Sequence, residues 1–176
     1  GSAAVGFLDD WIKVGRERNL GLRARTKFGG QLLVATTFAI LMVTLTDVHT
    51  ELSFTRWDSI GIDLGPVGWC MWAVLLMVAT TNGVNLTDGL DGLASGASLF
   101  AFATFTVMGF WMFGHPEIYD VGHALDLAVI AAAAVGSCAG FLWWNAAPAQ
   151  IFMGDTGSLA LGAGLSSLAL ATNTHL

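Results

Sequence analysis

Positive charge is nearly missing from most of this sequence. Six of its seven basic residues, Lys13, Arg16, Arg18, Arg23, Arg25 and Lys27, fall in the first 27 positions, and beyond them Arg56 alone faces ten acids. That excludes a basic nucleic-acid surface and points to a cytoplasmic loop flanking a membrane. Charge of either sign is scarce, at 11% of 176 residues against 55% hydrophobic ones. Soluble domains carry roughly 25% charged residues, so the composition is that of a helical membrane protein. Cysteine is rare as well. Cys70 and Cys138 lie in apolar segments at different expected depths and read as free, packed thiols, with no disulfide. The start, "GSAAVGFLDDW", has neither a basic n-region nor a long apolar core, so no signal peptide is read there. Both ends break in apolar sequence, and residues 1–176 read as a single membrane domain, the central part of a larger multi-span protein.

What the chain has in abundance is apolar runs. A spanning helix needs about 20 predominantly apolar residues. Five segments qualify, at 28–48, 66–84, 93–113, 124–144 and 157–174, which gives an all-α integral membrane protein of about five transmembrane helices. With the basic run cytoplasmic, residues 49–65 and 114–123 fall outside, and 81–92 and 145–156 return to the cytoplasm. Residues 51–65, "ELSFTRWDSIGIDLG", read as a small outer β-hairpin or equally as an irregular loop. Trp57, Trp69, Trp72, Trp111, Trp143 and Trp144 fall near expected boundaries, where indole anchors to the interface. Gly92-x-x-x-Gly96 and Gly136-x-x-x-Gly140 read as close helix-packing sites.

On this topology Asp9, Asp10, Asp88, Asp91 and Asp155 share the cytoplasmic side, whereas the four histidines do not reach it. "FLDDWIK" pairs adjacent carboxylates with Lys13. "NLTDGLDG" sets Asn85, Asp88 and Asp91 at i, i+3 and i+6. "FMGDTGS" puts Asp155 between glycines at a helix start. Each acid alone has an ordinary explanation, since Asp9 and Asp10 suit a solvated helix end and Asp88, Asp91 and Asp155 suit a first helical turn. Capping does not explain why three such loops converge on one side, each with residues that allow close backbone approach. Carboxylate oxygens suit a hard cation such as Mg²⁺, helix N-termini and Gly-flanked amides suit phosphate, and Lys13 and Lys27 neutralise anions. Phosphoryl transfer is mostly positioning and charge stabilisation, so the inventory fits a phosphotransferase. Phe152 offers a face for a nucleobase, or equally packs in the interior.

The stretches "NGVNLTDGLDGLASG" (82–96) and "GFLWWNAAPAQIFMGDTGSLALGAGL" (140–165), with "GFLDDWIKVGRERNLGLRARTKFGGQ" (6–31), closely resemble the phospho-N-acetylmuramoyl-pentapeptide transferases. These belong to the wider superfamily of polyprenyl-phosphate N-acetylhexosamine-1-phosphate transferases. The resemblance implies a Mg²⁺-dependent transfer of phospho-MurNAc-pentapeptide from UDP-MurNAc-pentapeptide to undecaprenyl phosphate, giving lipid I and UMP for peptidoglycan synthesis. It implies a bacterial inner (plasma) membrane location with cytoplasmic catalytic loops, and it suggests a homodimer. By motif match Asp155 is the principal metal ligand, and Asp9 is the base or orienter for the lipid phosphate with Asp10 beside it. Asp88 and Asp91 shape the diphosphate and nucleoside site, the Gly89–Leu90 backbone approaches the uracil, and Phe152 stacks on it. Asn85, Asn145, Lys13 and Lys27 position polar substrate groups.

The chain departs from the family pattern in one respect. The family's upstream helices and its downstream His-rich cytoplasmic motif have no counterpart here, so the fragment is expected to hold most of the acidic centre and to be inactive alone. Two rival readings remain at this point. One is a GlcNAc-1-phosphate transferase on the same lipid. The other, from a different class, is an ion-coupled transporter, which would place the acids near the midplane between inverted repeats. No such repeat is visible, and these acids sit at one face.

Overall fold

The computed structural model describes residues 1–15, 21–53 and 61–175. Seven helices follow in order: α1 (Ser2–Gly15), α2 (Ala24–Leu45), α3 (Gly65–Thr87), α4 (Leu93–Gly114), the short α5 (Pro116–Tyr119), α6 (Ala124–Asn145) and α7 (Gly154–Ala171). Of these, α2, α3, α4 and α6 are long and apolar enough to cross a membrane. Their outward positions are large and apolar, such as Leu33, Leu75, Phe100, Val107 and Val129. The chain is an all-α, multi-pass membrane protein.

The expected fifth span exists as a helix but differs in kind. α7 is not among the helices apolar enough to cross on composition, because Asp155, Thr156, three serines and four glycines dilute its leucines and alanines. Its position supplies the reason: no residue of α7 is exposed. One apolar cluster joins Leu170 of α7 to Ala39 of α2 and to Trp69 and Ala73 of α3. A second joins Leu168 to Phe102 of α4 and to Ala131 and Cys138 of α6. A helix surrounded by protein gains more from small residues that admit close neighbours than from bulk facing lipid. Its buried hydroxyls are satisfied within the helix, as where Ser166 Oγ donates to the Gly162 carbonyl at 3.0 Å.

Two expectations from the sequence change. Of the two glycine pairs only Gly92 marks a contact, a Cβ there lying 3.3 Å from Leu142 of α6, whereas one on Gly96, Gly136 or Gly140 would meet nothing within 4 Å. Closer approaches are elsewhere. A Cβ on Gly162 would lie 2.5 Å from Thr81 Cα, where α7 meets α3, and one on Gly6 would collide with the Asp155 carbonyl, where α1 meets α7. A glycine motif names small residues but not the helix face that finds a neighbour. Trp69 is not an interfacial anchor either, being fully buried in the α2–α3–α7 cluster, whereas Trp111, Trp143 and Trp144 are exposed near helix ends. Trp57 lies outside the described residues.

Between α2 and α3, a single antiparallel bridge pairs Glu51 with Asp63, flanked by Leu52 N–H to the Ile62 carbonyl at 2.9 Å. The described residues hold no strand, and the middle of the expected hairpin, 54–60, lies outside them. Cys70 and Cys138 are free, as expected.

The packing separates the glycines by consequence. Gly162→Val should destabilise the protein by about 1–3 kcal/mol through overpacking, whereas Gly140→Ala should stay within about 0.5 kcal/mol of the parent. Thermal midpoints in detergent check both.

Candidate functional site

At one end of the bundle, the C-terminal half of α1, the first turns of α2, the last turn of α3 and the start of α7 converge. Asp9 is 3% exposed despite being a carboxylate. Its Oδ1 accepts the Leu22 amide at 2.6 Å, and its Oδ2 lies 2.6 Å from Lys13 Nζ one helical turn on. Asp10 reaches across to α7. Its carboxylate accepts the Thr156 amide at 2.8 Å, the Thr156 hydroxyl at 2.6 Å and the Asp155 amide at 3.3 Å. It thus caps the N-terminus of a helix distant in sequence, where free amides and the helix dipole favour negative charge. Gly154 makes this geometry available, because its φ is +64° and a Cβ there would sit 2.8 Å from Asp10 Oδ2.

Asp155 stands at the focus of the group. Its Oδ2 is 2.6 Å from Lys13 Nζ, and its Oδ1 is 3.0 Å from Lys27 Nζ and accepts Asn85 Nδ2 at 2.5 Å. Asn85 also donates to Ser158 Oγ at 2.8 Å, which ties the end of α3 to the first turn of α7. Burial alone would push the Asp155 carboxyl up, but hydrogen bonding to Asp9, Lys13, Asn85 and Lys27 outweighs it and holds the group well below the usual carboxylate range. Burial likewise works against the Lys13 ammonium, and its hydrogen bonds to Asp155 and Asp9 overcome that and hold it above the ordinary lysine value. Asp88, just past α3, is raised by burial and by the charges of Asp155 and Asp10.

Asp9, Asp10 and Asp155 each offer a ligand oxygen, all within 4.8 Å of one another, the one such group among the described residues. Hard oxygen donors at that spacing fit a single divalent cation of the Mg²⁺ kind, which keeps part of its water shell and needs few protein ligands. All three carboxylates are engaged within the protein: Asp155 by Lys13, Lys27 and Asn85, Asp9 by Lys13 and the Leu22 amide, and Asp10 by the start of α7.

The remaining expected site residues fall into two sets. Asp91, which is exposed, and Asn145, which is buried, both bond the 146–153 loop. Asp91 Oδ2 accepts the Ala149 amide at 3.0 Å. Asn145 is 4% exposed, and its side chain bonds Gly92 N at 3.2 Å, Ser95 Oγ at 2.9 Å and the Ile151 carbonyl at 2.9 Å. Together they staple the 88–92 turn to the 146–153 loop. Leu90 at 70% and Phe152 at 76% exposure lie on those two stapled segments, with Gly89 exposed next to Leu90. Reading by residue type missed Thr156, Ser158, Ser95 and the Leu22 amide. "GDTGS" does carry a signal for the first two, a hydroxyl-rich helix start; the amide of Leu22 leaves no trace in residue identity.

The pH dependence follows from the pairing. A carboxyl whose folded value is depressed stabilises above its ordinary value of about 3.9, and that stabilisation is lost as pH falls through the folded value. A lysine held high keeps its contribution at all pH below its ordinary value of about 10.4. The thermal midpoint of the parent minus that of Asp155→Asn should therefore be flat between about pH 5 and 9 and should shrink on strong acidification. Midpoints measured across that range check it.

With this geometry in hand, similarity to known proteins can be weighed. The profile of glycosyl transferase family 4 matches residues 1–173. The chain is 49% identical to the phospho-N-acetylmuramoyl-pentapeptide-transferase of Streptomyces griseus, over 99% of this chain and 53% of that protein. It is 47% identical to the protein of that name from Frankia alni, over 100% and 53%, and 43% identical to that from Clavibacter sepedonicus, over 100% and 54%. The chain thus spans about half the length of the curated relatives it matches. A membrane bundle with clustered carboxylates at one end, matched along nearly its whole length, has one consequence: the chain belongs to glycosyl transferase family 4.

Proposed function

We propose that the protein carrying this chain transfers phospho-MurNAc-pentapeptide from UDP-MurNAc-pentapeptide to undecaprenyl phosphate, forming lipid I and releasing UMP. The observation that carries the reading is the cluster of Asp9, Asp10 and Asp155 with Lys13 and Lys27 at one end of a membrane bundle. The activity named for the relatives supports the choice of substrates. The cluster faces the cytoplasm of a bacterial plasma membrane, because Lys13 and Lys27, the first and last residues of the basic run, lie at the same end. Association of two copies, and membership of this segment in a larger membrane domain, belong to the same proposal.

In the reaction an oxygen of the lipid phosphate attacks the β-phosphorus of the UDP-sugar, and the bond to UMP breaks in line with it. A phosphate monoester is already ionised at neutral pH, so placement matters more than proton removal. Asp155, with Asp9 beside it, would hold Mg²⁺, which would supply charge neutralisation to anionic reactants. Lys13 and Lys27 add positive charge at the same point, and Asp9 orients the lipid phosphate. Asp10 keeps the start of α7 facing the reacting groups. Asp88 and the Gly89–Leu90 backbone border the diphosphate and uracil, and Phe152 stacks on the base. Asp91 and Asn145 act by holding the segments that carry those two contacts.

Asp155→Asn in the full-length protein at saturating Mg²⁺ should lower kcat by about 10²–10³-fold, and near-parental turnover would remove the proposal. Phe152→Ala should raise KM for the UDP-sugar about tenfold with little change in kcat. Faster turnover of UDP-GlcNAc than of UDP-MurNAc-pentapeptide would transfer the assignment to the GlcNAc-1-phosphate branch.

A further inference from the structure

The buried face of α2 is made of small residues with one exception. Its buried positions are Gln31, Ala35 and Ala39, one turn apart, and those of α3 are Trp69, Ala73, Met77 and Thr81. Gln31 is 3% exposed. Its Oε1 accepts Asn82 Nδ2 of α3 at 2.8 Å, and its Nε2 donates back to Asn82 Oδ1 at 3.4 Å. Among the described residues this is the one side-chain hydrogen-bonded pair that joins α2 to α3. A further bond from Asn82 Nδ2 to the Val78 carbonyl at 2.8 Å fixes that side chain along its own helix.

Packing alone does not call for this pair, since apolar side chains of similar volume fill such a seam at no loss of stability. What a reciprocal carboxamide pair adds is orientation, because the two groups must meet in one geometry or leave donors and acceptors unpaired. Small residues such as Ala35, Ala39 and Ala73 let helices approach closely but do little to fix their rotation. The position of the pair gives that orientation a use. Lys27 precedes Gln31 by four residues and Asn85 follows Asn82 by three, so each lies on the same helix face as its neighbour in the pair. Both then reach one atom: Asp155 Oδ1 is 3.0 Å from Lys27 Nζ and 2.5 Å from Asn85 Nδ2. Gln31, Asn82 and Lys27 also border a cavity of about 440 Å³. Gln31 itself, almost wholly enclosed and already bonded to Asn82, offers a ligand there little surface.

We propose that Gln31 and Asn82 are positioning residues: their bond sets the rotation of α2 against α3 and so holds the Lys27 ammonium and the Asn85 carboxamide together on Asp155. Neither contacts substrate. Misplacing a group by about 1 Å can cost about 10²-fold in rate, so a bond one helical turn away from two such groups matters to catalysis. That consequence rests on the transferase reading; the geometry rests on the hydrogen bonds alone.

Amine-selective labelling of the full-length protein in detergent without added Mg²⁺, read at Lys27 and Lys13 by mass spectrometry, tests the geometry without turnover. Gln31→Leu should raise the labelling rate of Lys27 about tenfold and leave that of Lys13, held by Asp9 of its own helix, within about twofold. Asn82→Leu should do the same from the α3 side, and the double variant should exceed neither single one, as expected when both remove one shared bond. An equal rise at both lysines overturns the proposal in favour of a general loosening of the bundle, and an unchanged Lys27 overturns it as well. Turnover of UDP-MurNAc-pentapeptide tests the catalytic consequence: each variant should lower kcat about tenfold at unchanged KM. Raised KM at parental kcat overturns the proposal in favour of a substrate contact, and parental values of both overturn it outright. A parent protein that turns over neither UDP-MurNAc-pentapeptide nor UDP-GlcNAc removes the transferase reading instead, and Lys27 labelling still decides the geometry.

Discussion

Three carboxylates within reach of one ion repel each other, and the fold at this end of the bundle is arranged around making that tolerable. Two ammonium groups, a carboxamide and the amide-rich start of α7 surround Asp155 and Asp10, so the negative charge is met by donors from four helices. Partial burial makes each interaction stronger than it would be in water and makes any missing member costly. Packing follows from this. Gly6 and Gly162 are where α1 and α3 come closest to α7, and those approaches bring Asp10 and Asn85 within bonding distance of it.

The division of labour among the acids is then physical. Asp9 and Asp155 share the Lys13 ammonium between them, whereas Asp10 spends its lone pairs on the backbone and side chain of α7. Asp91 does the same for the 146–153 loop. Capping and ligand binding, which looked like competing explanations for each acid, are distributed between adjacent residues of one motif.

Much of this was legible in the sequence, for reasons that separate from what was not. Hydropathy fixes where helices can cross, so four spans were readable within a few residues. The meeting of Asp9, Asp10 and Asp155 followed from topology alone. Helix phase did not. Gly96, Gly136 and Gly140 looked like packing sites and face open space, while Gly162 carries the contact. Trp69 reads like Trp143, but one is enclosed by three helices and the other is exposed. Asn145 was placed among the substrate contacts by the family resemblance, and its partners here are backbone atoms and a serine that no pattern points to. Enclosure likewise explains why α7 is not apolar enough to count among the spans.

That enclosed helix bears on biogenesis. α7 follows all its neighbours in the chain, so the ribosome delivers it after α1, α2, α3, α4 and α6 have been made. Until it slots between them, Lys13 and Lys27 lack their shared counter-ion and Asp10 has no amides to receive. Docking of α7 and electrical balancing of the acidic end are therefore a single event, and a protomer caught before that step would carry an unbalanced patch that quality-control machinery could recognise.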